Sequence, residues 1–290
     1  ALTLILVFFV IMSSLAGIIE NYHIIQTGDR SRYFLGFRYA LNAPAFILNV
    51  ILLYIYANRD KYRYWEIICL FGIAFTLYKF TNSRLTFWLS VIGLLIALIC
   101  KMRKDDFRNS GKLIAILIPS FIVCFALSMW FAISYSPSIP WMKELNTILG
   151  NRLRHGQNSF LMYGVSLFGL GNIDWVGAGL DAYGHQSTET YFYVDNLYLQ
   201  VLQRYGIIFM ALFLLLTTAL MVQCYKKKEH MLVILLAIIA LHGLIDDGIM
   251  YLQMNTFWLL FGPAVFGYIR SRKVEREKKK HRGRMVRRTS

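Results

Sequence analysis

Apolar residues run along this chain in long blocks, separated by short polar stretches. Ala1–Ile19, Tyr39–Ala57 and Leu113–Tyr135 carry no charged side chain. Trp65–Tyr78 and Leu85–Cys100 are shorter and flank the polar turn Lys79–Arg84. Tyr205–Tyr225 follows an amphipathic lead-in from Asn196, and only Asp246 and Asp247 separate Met231–Ile245 from Gly248–Tyr268. About 20 apolar residues cross a bilayer as a helix, and fewer suffice where polar ends snorkel. The pattern predicts an all-α polytopic membrane protein with about eight transmembrane helices and one large extracytoplasmic loop. Helices 1–5 occupy residues 1–135, the loop 136–195, helices 6–8 residues 196–269, and a basic tail 270–290.

Composition agrees. Of the 290 residues 57% are hydrophobic and 16% charged, with a mean hydropathy of +0.48. Soluble domains run at roughly 45–50% apolar and about 25% charged, so a soluble domain, a disordered chain and a collagen-like chain are excluded. The net charge of +15 is informative only through its sidedness. Asn58–Arg63, Lys101–Lys112, Lys226–Glu229 and the tail from Arg270 hold 22 of the 31 Lys and Arg. Short positive loops stay inside, which places both ends of the chain in the cytoplasm. The tail alone supplies +9. It reads as an anchor drawn to anionic membrane lipids rather than a nucleic-acid site, since no nucleic-acid-binding motif accompanies it. The chain starts at Ala, and no basic stretch precedes its first apolar run, so a missing upstream segment is expected.

Cys69, Cys100, Cys124 and Cys224 each lie within or at the edge of a predicted helix, with no CxxC pair and no His/Cys cluster. Neither a disulfide framework nor a metal site follows, and no cofactor is expected. A P-loop, GxGxxG, HExxH and GxSxG are absent from the sequence.

The outer face carries the candidate chemistry. Ser136–Asp195 is a loop of 60 residues. Loops beyond roughly 12–15 residues are usually functional or hold elements of their own. Trp141–His155 shows helix-like apolar spacing and Ser159–Leu170 is apolar, while glycines recur from Gly169 to Gly184. Seven of the nine outer basic residues are Arg: Arg30, Arg32, Arg38, Arg84, Arg152, Arg154 and Arg204. Arginine binds phosphate oxygens bidentately and keeps its charge when partly buried. An Arg cluster near headgroup depth therefore suits a lipid-linked diphosphate, against the alternative that these cations pair with the outer acids. Asp195, which precedes Asn196 and a helix, is either an N-cap or a general base at a helix mouth. Asp246 and Asp247 lie just after His242 at a membrane boundary. They are costly there unless used, or they simply end the helix in water.

These pieces occur in a familiar order. Arg32-Tyr-Phe-Leu-Gly36-Phe-Arg38 with Asn42 and Ala43, then Thr81-Asn-Ser83-Arg84, Leu145–Leu153 and Tyr163–Gly169 follow one another along the outer face. Asp195-Asn196-Leu-Tyr198 through Arg204-Tyr205-Gly206 is the strongest element, and His242-Gly-Leu-Ile-Asp246 a weaker one. Together they resemble the Wzy-type polysaccharide polymerases of bacterial capsule, exopolysaccharide and O-antigen pathways, within the O-antigen ligase-like superfamily. One departure stands out: ligases of that superfamily carry His where this chain has Asp195, which favours a polymerase.

The resemblance implies a membrane glycosyltransferase of the bacterial plasma membrane with its active site facing outside. A growing glycan on undecaprenyl diphosphate, or a similar polyprenyl diphosphate, would pass to a sugar hydroxyl of another lipid-linked repeat unit. The hydroxyl must lose a proton as it attacks, and charge develops on the leaving diphosphate. Asp195 is the candidate base. Arg38, Arg84 and Arg152, with Arg32 and Arg154 behind them, are candidate diphosphate ligands, and Asn196, Asp246 and His242 candidate acceptor-site residues. Implied partners are the lipid-linked oligosaccharide, membrane lipids, and the chain-length regulator and flippase of such a pathway. A ligase of the same superfamily and a lipid-linked oligosaccharide flippase are the alternatives.

Overall fold

The computed structural model describes residues 2–26, 30–59, 61–102, 111–181, 185 and 190–262. The basic tail from Arg270 and most of the basic loop before Lys112 lie outside them. Within the described residues the chain is mostly helical. Its elements are α1 (Leu2–Leu15), the hairpin β1 (His23–Gln26) and β2 (Arg30–Tyr33), α2 (Asn42–Ala57), α3 (Tyr64–Thr81), α4 (Arg84–Met102), α5 (Gly111–Ala115), α6 (Ser120–Ser134), α7 (Pro140–Ile148), α8 (Arg152–Tyr163), α9 (Leu197–Lys226) and α10 (His230–His242), followed by a 3-10 turn at Gly248–Met250. The chain divides at Asn255. The second unit, Thr256–Ser290, contains the 3-10 turn Thr256–Leu260 and a stacked Trp258–Phe261 pair.

Helix α10 is apolar all round, and every residue from Met231 to Ala240 is buried. A helix without a polar face must be surrounded, and α2, α4, α5, α6 and α9 pack around it. The outer helices have apolar surfaces on both sides. On α4, Leu89, Gly93, Leu94 and Ala97 face inward, while Trp88, Ile92, Leu95 and Ile99 are exposed at helical spacing. Among the described residues, α4 and α9 are long and apolar enough to cross a membrane.

Several expected segments change shape. The run Leu113–Tyr135 divides into α5 and α6, because Pro119 cannot donate a backbone hydrogen bond. Tight turn bonds such as Ile118 N to Ala115 O (3.1 Å) carry the chain across. Gly248–Tyr268, expected as a helix, holds two 3-10 turns over its described part, 248–262. The predicted loop helices shift register. Gly150 and Asn151 both adopt left-handed φ (64° and 66°), which ends α7 and starts α8 at Arg152. Gly164, at φ 65°, terminates α8.

The helix from Asn196 is broken within. Gly206 has φ 88° and ψ 176°, inside an otherwise helical α9. The segment 166–171 enters that break. Leu170 N donates to Gln203 O (2.8 Å), Gly171 N to Arg204 O (3.2 Å), Ile207 N to Ser166 O (3.0 Å) and Ile208 N to Leu167 O (3.2 Å). The carbonyls and amides freed by the break thus regain partners. Two glycines permit this approach: a Cβ on Gly206 would lie 2.3 Å from Gly169 N, and one on Gly169 2.1 Å from Arg204 O.

Candidate functional site

Two helix ends set the site. Asn196 caps α9, its side chain accepting from Leu199 N at 3.0 Å. Its amide also donates to Ser128 Oγ (3.0 Å) and Leu244 O (3.1 Å). Leu197 N donates to Gly243 O (2.8 Å), and the Tyr198 hydroxyl to Ala240 O (2.7 Å). These bonds fasten the start of α9 to the end of α10, and so bring Asp195 beside Asp246 and Asp247. The cap is therefore Asn196 and not Asp195, whose carboxylate is left for other work. Asn196 itself is engaged in holding the backbone.

Past this junction lies a cavity of about 870 Å³, lined by Arg38, Tyr39, Asn42, residues 175–181, His185, Tyr191, Tyr193, Asp195, Asp246–Gly248, Tyr251, Gln253 and Met254 among others. The long loop supplies one wall. Val176 and Phe192 exchange both backbone hydrogen bonds at 2.9 Å, which sets Trp175 beside Tyr193. Trp175 is further fixed by its indole N–H to Ser159 Oγ (3.0 Å), itself bonded to Gln203 Oε1 (2.9 Å). The Arg204 guanidinium lies over the Trp175 ring, 4.7 Å from its centroid. Opposite, Leu180 N donates to Arg38 O (2.8 Å) and docks the loop onto the turn before α2.

Three carboxylates converge here, each held differently. Asp195 is 9% exposed. Its Oδ2 accepts from the Tyr191 hydroxyl (2.9 Å) and lies 3.3 Å from Arg152 Nη2. Asp247 Oδ2 accepts from the Tyr193 hydroxyl (2.8 Å). Asp246 Oδ1 accepts from Gly248 N (2.7 Å), and its Oδ2 is 3.4 Å from Nε2 of the buried His242. Burial and the neighbouring Asp247 push Asp246 up to about 7. Burial also raises Asp247 to about 6, with Asp195 adding to the effect. Tyr191 and Tyr193 rise for the same reasons, burial first and then the carboxylate each one faces. At neutral pH the Asp246/Asp247 pair is therefore poised near its own titration.

The candidate arginines separate. Arg38 is exposed and lines the cavity. Arg32, on β2, is half-buried, and burial lowers its pKa. Arg152 does not line the cavity. Its Nε donates to Ile245 O (3.0 Å) and Nη1 to Leu149 O (3.0 Å), and the third nitrogen meets Asp195. Burial opposes its charge, but Asp195 more than compensates and its pKa is raised. It is a staple joining α8, α9 and the end of α10. Arg84, at the first turn of α4, and Arg154, on α8, are both exposed and away from the lining.

Sequence reasoning singled out Asp195 and Asp246 but gave no individual role to Trp175, Tyr191, Tyr193 and Tyr251. The available signal was the density of aromatic residues in the long loop. Among the described residues, no three His, Cys, Asp or Glu side chains form a group able to hold a metal ion, and the four cysteines are unpaired with one another. No protein-family model, curated protein or solved structure matches the chain.

Proposed function

We propose that this chain is a membrane-spanning glycosyltransferase that lengthens a polyprenyl-diphosphate-linked glycan at the outer face of a bacterial plasma membrane. The observation that carries this reading is a cavity in which four carboxylates, one exposed arginine and five aromatic rings meet. Carboxylates accept hydrogen bonds from sugar hydroxyls, and aromatic faces cover the apolar faces of sugar rings. The motif order along the outer face supports the same class. The apolar exposed stripes of the outer helices support burial in lipid. In this reading the helices on either side of the long loop cross or fill the membrane, and α7 and α8 belong to the loop. The run from Gly248, which the hydropathy pattern makes an eighth crossing, begins by lining the cavity through Gly248 and Tyr251.

The reaction is a single displacement. An acceptor hydroxyl oxygen attacks the anomeric carbon of the donor glycan, and the bond from that carbon to the diphosphate oxygen breaks. The hydroxyl proton passes to a carboxylate, the polyprenyl diphosphate leaves with the bonding electrons, and the anomeric centre inverts. Arg38 is the diphosphate ligand best placed at the cavity. Proton acceptance falls to Asp246: a base works best when its pKa lies near the working pH, and Asp195 is already committed to Arg152 and Tyr191. Asp195 then acts as a positioning residue that holds the loop wall through Tyr191. A flippase reading draws on the broken helix, because transporters bind cargo at such breaks. Here backbone from 166–171 enters the break at Gly206 and engages four of its carbonyls and amides.

The test is direct. The protein in nanodiscs is given purified lipid-linked repeat units, and polymer length and released polyprenyl diphosphate are measured together. Polymer with stoichiometric release is expected, strongly reduced by Asp246→Asn and Arg38→Ala. Translocation of the lipid-linked unit in proteoliposomes without any new glycosidic bond would overturn the proposal.

A further inference from the structure

Resting on that reading, we infer that the cavity selects an uncharged, hydroxyl-rich sugar at the acceptor end and rejects acidic sugars such as uronates. Two independent observations support this. The first is charge. The lining holds Asp181, Asp195, Asp246 and Asp247 against Arg38. Asp195 is balanced by Arg152 at 3.3 Å, and Asp181 faces His185 at 3.6 Å. No Lys or Arg among the described residues lies within ion-pair distance of Asp246 or Asp247, and the neighbour of Asp246 is the His242 imidazole at 3.4 Å. Arg204, the nearest guanidinium to act on Asp247, lies over Trp175. An anionic ring entering here meets two carboxylates with little compensation, and Arg38 sits at the exposed side, where the diphosphate of the donor needs it.

The second observation is the hydrogen-bond inventory. Ionised carboxylates only accept. Tyr191 and Tyr193 have already given their hydroxyl protons to Asp195 and Asp247, so their oxygens also present lone pairs alone. Gly248 N is spent on Asp246. Around these carboxylates the cavity wall is thus rich in acceptors. A polyol supplies a donor from each hydroxyl and satisfies such a wall. A carboxylate-bearing ring brings further acceptors and leaves buried groups unpaired, a loss that discriminates strongly between otherwise similar ligands. Trp175 and Tyr251 on the same lining provide flat apolar surfaces for either sugar, so the selection lies in the polar groups.

The experiment uses the purified full chain in nanodiscs and two probes, a neutral trisaccharide ending in glucose and its counterpart ending in glucuronic acid. Affinities are read by saturation-transfer NMR titration at pH 8, with Trp175→Ala as the control for binding in the cavity. The neutral probe is expected to bind at least tenfold more tightly. In Asp246→Asn/Asp247→Asn the preference for the neutral probe should shrink at least fivefold, the acidic probe gaining relative to it. Equal or tighter binding of the acidic probe to the wild type overturns the inference and leaves the glycosyltransferase reading standing. A double variant that still binds the neutral probe but gains nothing for the acidic one overturns the role given to these carboxylates. Binding of neither probe, or binding indifferent to Trp175→Ala, removes the acceptor site from this cavity and takes the proposed function with it.

Discussion

Arg152 offers the sharpest separation between a ligand-binding arginine and a structural one. Its guanidinium meets Asp195 at 3.3 Å and two backbone carbonyls at 3.0 Å, and the paired side chains are only 17% and 11% exposed. At that distance the attraction is about 5 kcal/mol for an effective dielectric constant of about 20, before desolvation is subtracted. Removing one partner of a buried pair costs about 3–5 kcal/mol, because the other charge stays buried without compensation. Arg152→Met is therefore expected to destabilise the protein by about 3–5 kcal/mol, a fall in Tm on the order of 10 °C. Arg152→Lys should recover only part of this, since an ammonium cannot reach three acceptors in a fork. In a double-mutant cycle with Asp195→Asn, the two losses should be coupled by about 1–3 kcal/mol. The assay is thermal unfolding in detergent or nanodiscs, followed by intrinsic fluorescence. An Arg152→Met variant with an unchanged Tm and a weakened affinity for polyprenyl diphosphate would refute the staple and restore Arg152 to the list of phosphate ligands.

Other outcomes follow from the same geometry. Asp246 and Asp247 have folded pKa values of about 7 and about 6, above the ordinary carboxylate range, so the folded state binds more protons than the unfolded one between roughly pH 4 and 7. Their contribution to stability falls as pH rises through that window; Tm should drop towards pH 8, and Asp246→Asn/Asp247→Asn should flatten the profile. Activity should run the other way, rising with pH through about 7 as the base deprotonates, and a profile flat from pH 5 to 8 would exclude Asp246 as proton acceptor. Gly206→Ala, with a Cβ 2.3 Å from Gly169 N, should cost more than about 4 kcal/mol and abolish monodisperse expression, whereas Gly164→Ala, with nothing within 4 Å, should cost about 1–3 kcal/mol from its φ and ψ alone. Arg84→Ala and Arg154→Ala should leave polymer length and Tm within error, while Arg38→Ala should weaken donor binding at least tenfold at unchanged Tm.

Much of the helical frame was legible because lipid-length apolar runs leave few alternatives. Tyr39–Ala57 and Leu85–Cys100 became α2 and α4 nearly as read. Period and length report what a helix is made of, but not what interrupts it. The break at Gly206 depends on backbone arriving from 166–171, a contact that nothing local to Tyr205-Gly206-Ile207 encodes. The run from Gly248 looked like a span because its residues are apolar, yet several of them form 3-10 turns. Composition cannot distinguish an apolar helix from an apolar turn that lines a cavity. At the site, the sequence placed Asp195, Arg152 and Asp246 on one face but could not say which were partners of one another. Eight charged residues on the loop 136–195 admit many pairings, and only the folded geometry commits Arg152 to Asp195.

That commitment also explains why the outer arginines are not one functional set. A cation that serves a diphosphate must be reachable and uncompensated, whereas one that fixes a loop must be buried and fully paired. Arg38 meets the first condition and Arg152 the second, although the two are indistinguishable as residue types. The same division applies to the acids. Asp195 gives up freedom to hold Tyr191 and Arg152, while burial raises Asp246 and Asp247 above the ordinary carboxylate range. A cavity meant to accept a proton from a sugar hydroxyl needs one carboxylate that is ionised yet basic. Two adjacent buried carboxylates meet that need, because burial raises the proton affinity of both and Asp247 raises that of Asp246 further.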